Sequence, residues 1–310
     1  MPGRISVFIG LVFILIFTFA VVINGQNSPI LSFDLGQQKF DTIAVVLNLD
    51  SLSHENTSHN IGSFDNEVEF LEDVPSINNL YPNTEYTKKR KTQIDYEKTK
   101  FPIRTSVKLF SIVNGELIDL CSESFISEKH ILTAAHCFVE INSNTVTVDS
   151  ILICPVYDEG EFSLDFDCSL GHKIYFIDNW NYSNEDIAII ELDEPIGVKT
   201  GWLSIGFNKS SDFFDDGIYY KFSYPSVFLP SVDSTEYNGD TLYYNYGEIR
   251  QFGNFHLGVN GAIAIPGESG SSITQIENDT SYISYGVLVQ GNYTHIKIRD
   301  WMYFIFKSII

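Results

Sequence analysis

Short apolar runs separated by turn residues dominate the chain beyond Thr92. These runs are rich in Ile, Val, Phe, Tyr and Thr, and Gly, Asn, Asp or Pro interrupts them roughly every eight to twelve residues. We predict strands over residues 106–113, 130–133, 146–153, 173–177, 187–192, 218–222, 241–246 and 283–289. Residues 299–308 place apolar side chains at helical offsets, which predicts a short C-terminal helix. The spacing favours an all-β fold, either a sandwich or a pair of barrels, over alternating βαβ units.

The first 25 residues have the layout of a secretory signal peptide. Arg4 precedes an apolar run that ends at Ile23, and the small residue Gly25 offers a cleavage position. A run of this length could also remain in a bilayer as a signal anchor. We predict a signal peptide over residues 1–25 and a secreted, extracellular protein, with a signal-anchored protein at the membrane surface as the alternative.

Five Asn-x-Ser/Thr sequences agree with a secretory destination, because they are acceptors for N-glycosylation. The predicted glycosylation positions are Asn56, Asn181, Asn208, Asn278 and Asn292.

Residues 26–87 form an acidic segment that contains several turn formers and no cysteine. Ten acidic residues stand against the single base Lys39, a composition typical of weakly ordered chains. The basic tetrad Lys88-Lys89-Arg90-Lys91 follows. A basic run between a polar leader and a structured region is a natural cleavage site for a processing protease. The alternative interpretation is a run of charges that is merely solvated. We predict an acidic propeptide over residues 26–91 and a folded domain over residues 92–310.

The charge of the whole chain excludes one class of partner. Its 310 residues include 40 acidic and 19 basic side chains, which gives a net charge of -21. Phosphate binding requires clustered cations, so we expect no nucleic-acid partner. The hydrophobic content of 44% is sufficient for a sizeable core and excludes disorder throughout.

Two stretches offer a base and an acid. His136 follows an apolar strand end and two alanines, and the neighbouring Cys137 can fix it in place, as a general base requires. Asp186 opens a strongly apolar strand, where a carboxylate needs a partner, and orienting a histidine ring is one such role. Asp178 is the alternative candidate for that acid.

A third stretch offers a nucleophile. Ser269 lies between Gly267 and Gly270, and glycines permit a tight turn that points backbone N–H groups at one spot. The chain order of histidine, aspartate and serine is one of three known for such a triad.

These stretches, residues 132–137, 186–192 and 267–270, resemble the signature blocks of the chymotrypsin-like (trypsin-type) serine peptidases. The resemblance covers about residues 101–310. Within the family, residues 105–109 and 127–132 most resemble the secreted group of serine protease 23 and its inactive relative, serine protease 35. The resemblance implies two packed antiparallel six-stranded β-barrels with a short C-terminal helix, and hydrolysis of peptide bonds through an acyl-enzyme.

The family implies a role for each matching position. His136 would be the general base, Asp186 its orienting carboxylate and Ser269 the nucleophile, with the amides of Gly267 and Ser269 forming the oxyanion hole. The implied substrate-binding residues are Ile263, Val289, Gln290 and Gly291.

Three departures from the family pattern qualify these roles. Ile263 would lie at the base of the S1 pocket, and an apolar residue there implies a specificity other than tryptic. Val289 stands where a serine usually helps to hold the triad acid. No Ile-Val-Gly-Gly terminus follows the basic tetrad, which leaves Glu268 as a candidate solvated loop acid rather than the partner of a new chain terminus.

The family also implies a disulfide between Cys121 and Cys137, which leaves Cys154 and Cys168 to pair with each other. The number of cysteines alone allows three connectivities. We expect no metal, because no Cys-x-x-Cys or His-x-x-x-His spacing occurs, and no cofactor.

The expected partners are protein or peptide substrates, a processing protease at the basic tetrad, and protease inhibitors. The alternative function is a non-catalytic secreted binding protein on a serine-protease scaffold, which the missing terminus and Val289 favour.

Overall fold

The computed structural model describes residues 30–43, 55–57, 87, 89–181, 184–215, 217–227, 237–259, 264–277, 281–290 and 294–310. The predicted signal peptide lies outside this part of the chain. No helix in the described part is long and apolar enough to cross a membrane.

Seventeen strands and three short α-helices make up the described chain. The strands are β1 (Ile30–Asp34), β2 (Lys39–Ile43), β3 (Glu55–Thr57), β4 (Arg90–Lys91), β5 (Ser106–Val113), β6 (Glu116–Phe125), β7 (His130–Thr133), β8 (Ser150–Pro155), β9 (Ser169–Ile177), β10 (Ala188–Leu192), β11 (Ser204–Asn208), β12 (Ile218–Ser223), β13 (Tyr243–Phe252), β14 (His256–Val259), β15 (Ser272–Glu277), β16 (Ser281–Gln290) and β17 (Thr294–Lys297). The helices are α1 (Thr92–Asp95), α2 (Gly197–Thr200) and α3 (Asp300–Ile309), and 3-10 turns occupy Ile103–Thr105, Ala135–Cys137 and Asp212–Phe214.

Six antiparallel strands form the first barrel. Their order is β10-β7-β6-β5-β8-β9, and pairing of β9 with β10 closes the ring. Each strand of the ring therefore pairs with two others. The aliphatic core inside includes Leu109, Ile131, Ile153 and Ile189, all completely buried.

The second barrel closes in the same way. Its strands run in the order β15-β12-β13-β14-β17-β16, and β15 pairs with β16. Strand β11 pairs in parallel with β16, outside this ring, and β3 pairs with β11. The predicted pair of six-stranded barrels with a short C-terminal helix is therefore confirmed.

Part of the predicted leader belongs to these sheets. Strand β1 pairs over five residues with β9 and buries Ile30 and Phe33, and Leu35 beyond it is also buried. The prediction of weak order does not hold for residues 30–43, because β1 pairs with β9 and buries its apolar side chains against the first barrel.

The predicted strand at 146–153 also differs. It begins at Ser150, because Val146 forms an isolated bridge with Val139.

Candidate active site

Strand pairing brings His136 to Asp186. Strands β7 and β10 pair with Ala188 opposite Thr133, so the chain leaving β7 runs beside the chain entering β10. Asp186 Oδ2 lies 2.7 Å from His136 Nδ1, and Asp186 Oδ1 accepts the backbone N–H of His136 at 2.9 Å. The aspartate is completely buried and the histidine ring is partly exposed. When Nδ1 donates to the carboxylate, Nε2 carries the lone pair that a general base needs.

The alternative acid lies elsewhere. Asp178 Oδ1 accepts the side-chain amides of Asn144 at 2.6 Å and of Asn179 at 2.9 Å.

The turn that carries Ser269 requires glycine on both sides. Gly267 and Gly270 have φ angles of +84° and +82°. A Cβ on Gly267 would lie 2.4 Å from the carbonyl oxygen of Tyr224, and one on Gly270 would lie 2.4 Å from Thr133 Oγ1. Any larger residue would therefore push the turn away from both barrels.

Ser122 fastens this turn to the first barrel. Its N–H donates to the Ser269 carbonyl at 2.8 Å, and its hydroxyl donates to the Gly267 carbonyl at 2.7 Å. The same hydroxyl accepts the N–H of Tyr224 at 2.8 Å. Ser122 follows Cys121, whose disulfide to Cys137 is formed as predicted. The serine turn and the His136 turn are thus held to one braced segment at the junction of the barrels.

The amides around Ser269 divide into two groups. Those of Glu268, Gly270 and Ser271 donate to carbonyl oxygens within the fold. Those of Gly267 and Ser269 make no hydrogen bond to another described residue. Backbone donors that the fold leaves unused can bind an oxyanion.

Glu268 is completely buried, so the expectation of a solvated loop acid is wrong. Its Oε1 lies 2.6 Å from Lys221 Nζ and 2.9 Å from Ser223 Oγ. Its Oε2 accepts the N–H of Ile265 at 2.6 Å and lies 3.4 Å from Lys89 Nζ. Burial lowers the pKa of Lys221 to about 8, with Lys89 adding to the fall and Glu268 opposing it.

Sequence reasoning missed Lys221 because a single lysine in the strand Ile218–Ser223 is typical of an exposed edge position. The sequence did contain one indication that Lys221 is buried, because both of its neighbours in the chain, Tyr220 and Phe222, are aromatic.

A cleft of about 410 Å³ opens beside the histidine. Its lining residues are His136, Val139, Glu140, Ile141 and Thr147.

The structure describes only some of the predicted substrate-binding residues. Val289 is buried in strand β16 and belongs to the same apolar core as Leu109 and Ile131 of the first barrel. The side chain of Gln290, the last residue of β16, is not described. Ile263 and Gly291 lie outside the described residues.

Cys154 and Cys168 form the second disulfide as predicted. The sulfurs of Cys121 and Cys137 lie near His136 but are joined to each other, which removes them as metal ligands.

The glycosylation predictions have varied surroundings. Asn208 is buried, and Asn181 donates its side-chain amide to Glu185 at 2.9 Å. The side chain of Asn56, in β3, is not described, and Asn278 and Asn292 lie outside the described residues.

Comparison with known proteins yields one family and a set of similar folds. Residues 94–217 match the trypsin family model. The matched region contains His136 and Asp186 and ends before Ser269.

Three solved proteases are similar in fold to about two thirds of the chain. The protease Anisep from Arthrobacter nicotinovorans is 17% identical with a TM-score of 0.50, over 64% of this chain and 90% of its own. A Glu endopeptidase is 15% identical with a TM-score of 0.54, over 71% and 95%. The thermostable serine protease AL20 from an extremophilic microorganism is 17% identical with a TM-score of 0.50, over 63% and 90%. The family match and the shared double barrel together support a trypsin-type serine peptidase.

Proposed function

We propose that this chain is a secreted serine endopeptidase that uses His136, Asp186 and Ser269 to hydrolyse peptide bonds. The observation that carries the proposal is the 2.7 Å contact between His136 Nδ1 and the completely buried Asp186 carboxylate. A non-catalytic binding role is not favoured, since a binding surface has no need of a buried carboxylate that orients a partly exposed histidine.

The reaction proceeds in two halves. Ser269 Oγ attacks the peptide carbonyl carbon while its proton passes to His136 Nε2, and the carbonyl oxygen becomes an oxyanion facing the amides of Gly267 and Ser269. The C–N bond then breaks, the leaving amine takes the proton from His136, and an ester to Ser269 remains. Water attacks this ester with His136 as base again, the ester C–O bond breaks, and Ser269 recovers its proton.

The substrate is a protein or peptide of extended conformation. The edge of strand β16 would pair with the substrate backbone through Gln290 and Gly291, as in other β-strand additions. The family resemblance implies that the apolar Ile263 would lie at the base of the S1 pocket and select a non-basic side chain before the cleaved bond.

The test is covalent labelling of purified, secreted protein with a fluorophosphonate probe. Ser269 Oγ displaces fluoride from phosphorus, and the serine proton leaves through His136. We expect wild type to be labelled and Ser269→Ala not to be. The matched control is Ser272→Ala, because the Ser272 hydroxyl is buried and has no hydrogen-bond partner in the described structure. Unlabelled wild type, or equal labelling of Ser269→Ala, rejects the proposal.

Secretion and processing are part of the proposal. The signal peptide ends after Gly25, and a processing protease cuts at the basic tetrad, residues 88–91. Tetrad residues Arg90 and Lys91 pair with Tyr244 and Tyr243 of β13, so such a cut requires local opening of this short strand. N-terminal sequencing of secreted protein tests both positions, and a retained residue 1 or an intact tetrad would contradict the respective cut.

A further inference from the structure

The residue before the nucleophile carries a buried charge with an unusually full set of partners. Glu268 is 0% exposed, and so is the side chain of Lys221, whose ammonium nitrogen lies 2.6 Å from Oε1. Ser223 Oγ contacts the same oxygen, while the Ile265 N–H and Lys89 Nζ contact Oε2. A carboxylate in such surroundings stays ionised only when cations and donors compensate for the lost water.

Glu268 also makes several of the hydrogen bonds that hold the turn carrying Ser269. Its side chain holds the N–H of Ile265 at 2.6 Å, and its own N–H donates to the Ile265 carbonyl at 3.2 Å. Its carbonyl accepts the N–H of Ser271 at 3.1 Å and the hydroxyl at 2.7 Å. The Ser269 N–H shares a peptide group with the Glu268 carbonyl, and the Gly267 N–H lies inside the turn that Glu268 closes onto Ile265, so Glu268 holds both unused amides in place.

The carboxylate has little room for a further donor. An ionised carboxylate accepts about four hydrogen bonds, and four donor groups already surround the two oxygens of Glu268. A chain-terminal amine could reach Glu268 only by displacing one of them.

We infer that Lys221 is a positioning residue that holds Glu268, and with it the oxyanion-binding turn, in the uncut chain. This inference rests on the proposed function. Lys89 is the second cation, and cleavage of the tetrad is not needed to build the turn. The ion pair acts through Glu268, which closes the turn onto Ile265 and shares a peptide group with the Ser269 N–H.

The inference predicts an alkaline limit to activity. Lys221 is charged below its pKa of about 8 and neutral above it, so the turn loses its main cation as pH rises through that value. In the described chain, the charged groups that act on Lys221 are Glu268, which raises its pKa, and Lys89, which lowers it. Removing Lys89 therefore raises the pKa of Lys221 and moves the alkaline limit to higher pH.

The experiment measures the rate of fluorophosphonate labelling of Ser269 from pH 6 to 10. We expect Lys221→Met to react at least about tenfold more slowly than wild type at pH 7, up to the roughly 10³-fold loss typical of a missing oxyanion donor. The matched control is Lys297→Met, because Lys297 is also buried in the second barrel with a pKa lowered to about 8, and it bonds Asn208 and Gln251 instead of Glu268. The control should stay within about twofold of wild type.

Two further variants separate charge from folding. The double variant Lys221→Met, Glu268→Gln removes both charges of the 2.6 Å ion pair, so it should fold and still label slowly, without the alkaline limit near pH 8. Lys89→Met should label at pH 7 and lose activity at a higher pH than wild type. Equal rates for wild type and folded Lys221→Met or the double variant overturn the inference.

Cleavage is tested separately. A chain with Lys88, Arg90 and Lys91 changed to Gln keeps Lys89 but resists processing. We expect it to label at a rate similar to that of wild type, and absence of labelling in this uncut chain overturns the inference.

Hydrogen exchange keeps the two proposals distinguishable. If wild type is not labelled at all, the proposed function fails, but exchange of the amides in residues 264–271 still reports on the turn. Lys221→Met in the Ser269→Ala background should exchange faster there than Ser269→Ala alone, and unchanged exchange rejects the positioning role.

Discussion

Ser122 offers a direct test of how the serine turn is held. The change Ser122→Ala removes one hydroxyl that donates to the Gly267 carbonyl and accepts the N–H of Tyr224. Tyr224 is completely buried, so its N–H loses a partner that water cannot replace, at about 1 to 2 kcal/mol. Gly267 is only half-buried, and the loss there is about 1 kcal/mol. We expect the free energy of unfolding to fall by about 2 to 3 kcal/mol.

The assay is urea denaturation of Ser122→Ala beside Ser106→Ala. Both serines are about 1% exposed in paired strands of the first barrel, but the Ser106 hydroxyl has no hydrogen-bond partner in the described structure. Removing an unpaired buried hydroxyl should be neutral or slightly stabilising. Fluorophosphonate labelling of Ser122→Ala should also be slower, because Gly267 is no longer fixed. Equal stability of the two variants would refute the reasoning.

Three other predictions concern the same region. Asp186→Asn should lower kcat on a peptide substrate by roughly 10⁴-fold, because the amide stabilises the wrong histidine tautomer, and a loss below tenfold would contradict the orienting role. Burial raises the pKa of Glu123 well above 4.5, so the wild-type protein takes up a proton on folding and loses stability as pH rises beyond that value. Thermal unfolding should therefore show that the melting temperature of Glu123→Gln, relative to that of wild type, is higher at pH 8 than at pH 5. An equal difference in melting temperature at the two pH values would contradict a raised pKa of Glu123. Replacing Cys121 and Cys137 by serine should lower the free energy of unfolding by about 2 to 5 kcal/mol, measured by urea denaturation without reductant, and a loss below about 1 kcal/mol would show that the brace is dispensable.

The sequence predicts those strands and helices whose pattern is local in the chain. Strand β5 has the predicted bounds, and the helix α3 differs by one residue at each end. These elements repeat their own periodicity, so neighbours a few residues apart are enough to specify them. Strand β1 was missed because the strongly acidic composition around it concealed its few apolar side chains, and its pairing partners in β9 are far along the chain.

In the candidate site, too, local patterns could be predicted and distant contacts could not. The pairing of His136 with Asp186 could be proposed because each residue begins or follows an apolar strand of recognisable pattern. The partners of Glu268 could not, since Lys221 lies 47 residues before it and no local pattern links the two. Burial of an ion pair is a property of the folded arrangement, and sequence alone presents both residues as ordinary surface charges.

Because of strand β1, cleavage at the tetrad and departure of the leader are two separate events. Cleavage there breaks the covalent connection between the leader and the barrels, yet the five-residue pairing of β1 with β9 and the burial of Ile30 and Phe33 remain. Departure of the leader would strip the edge of β9 and leave its backbone groups open to another strand. A molecule cut at the tetrad would therefore be a two-chain particle without a disulfide across the cut, because all four cysteines follow the tetrad.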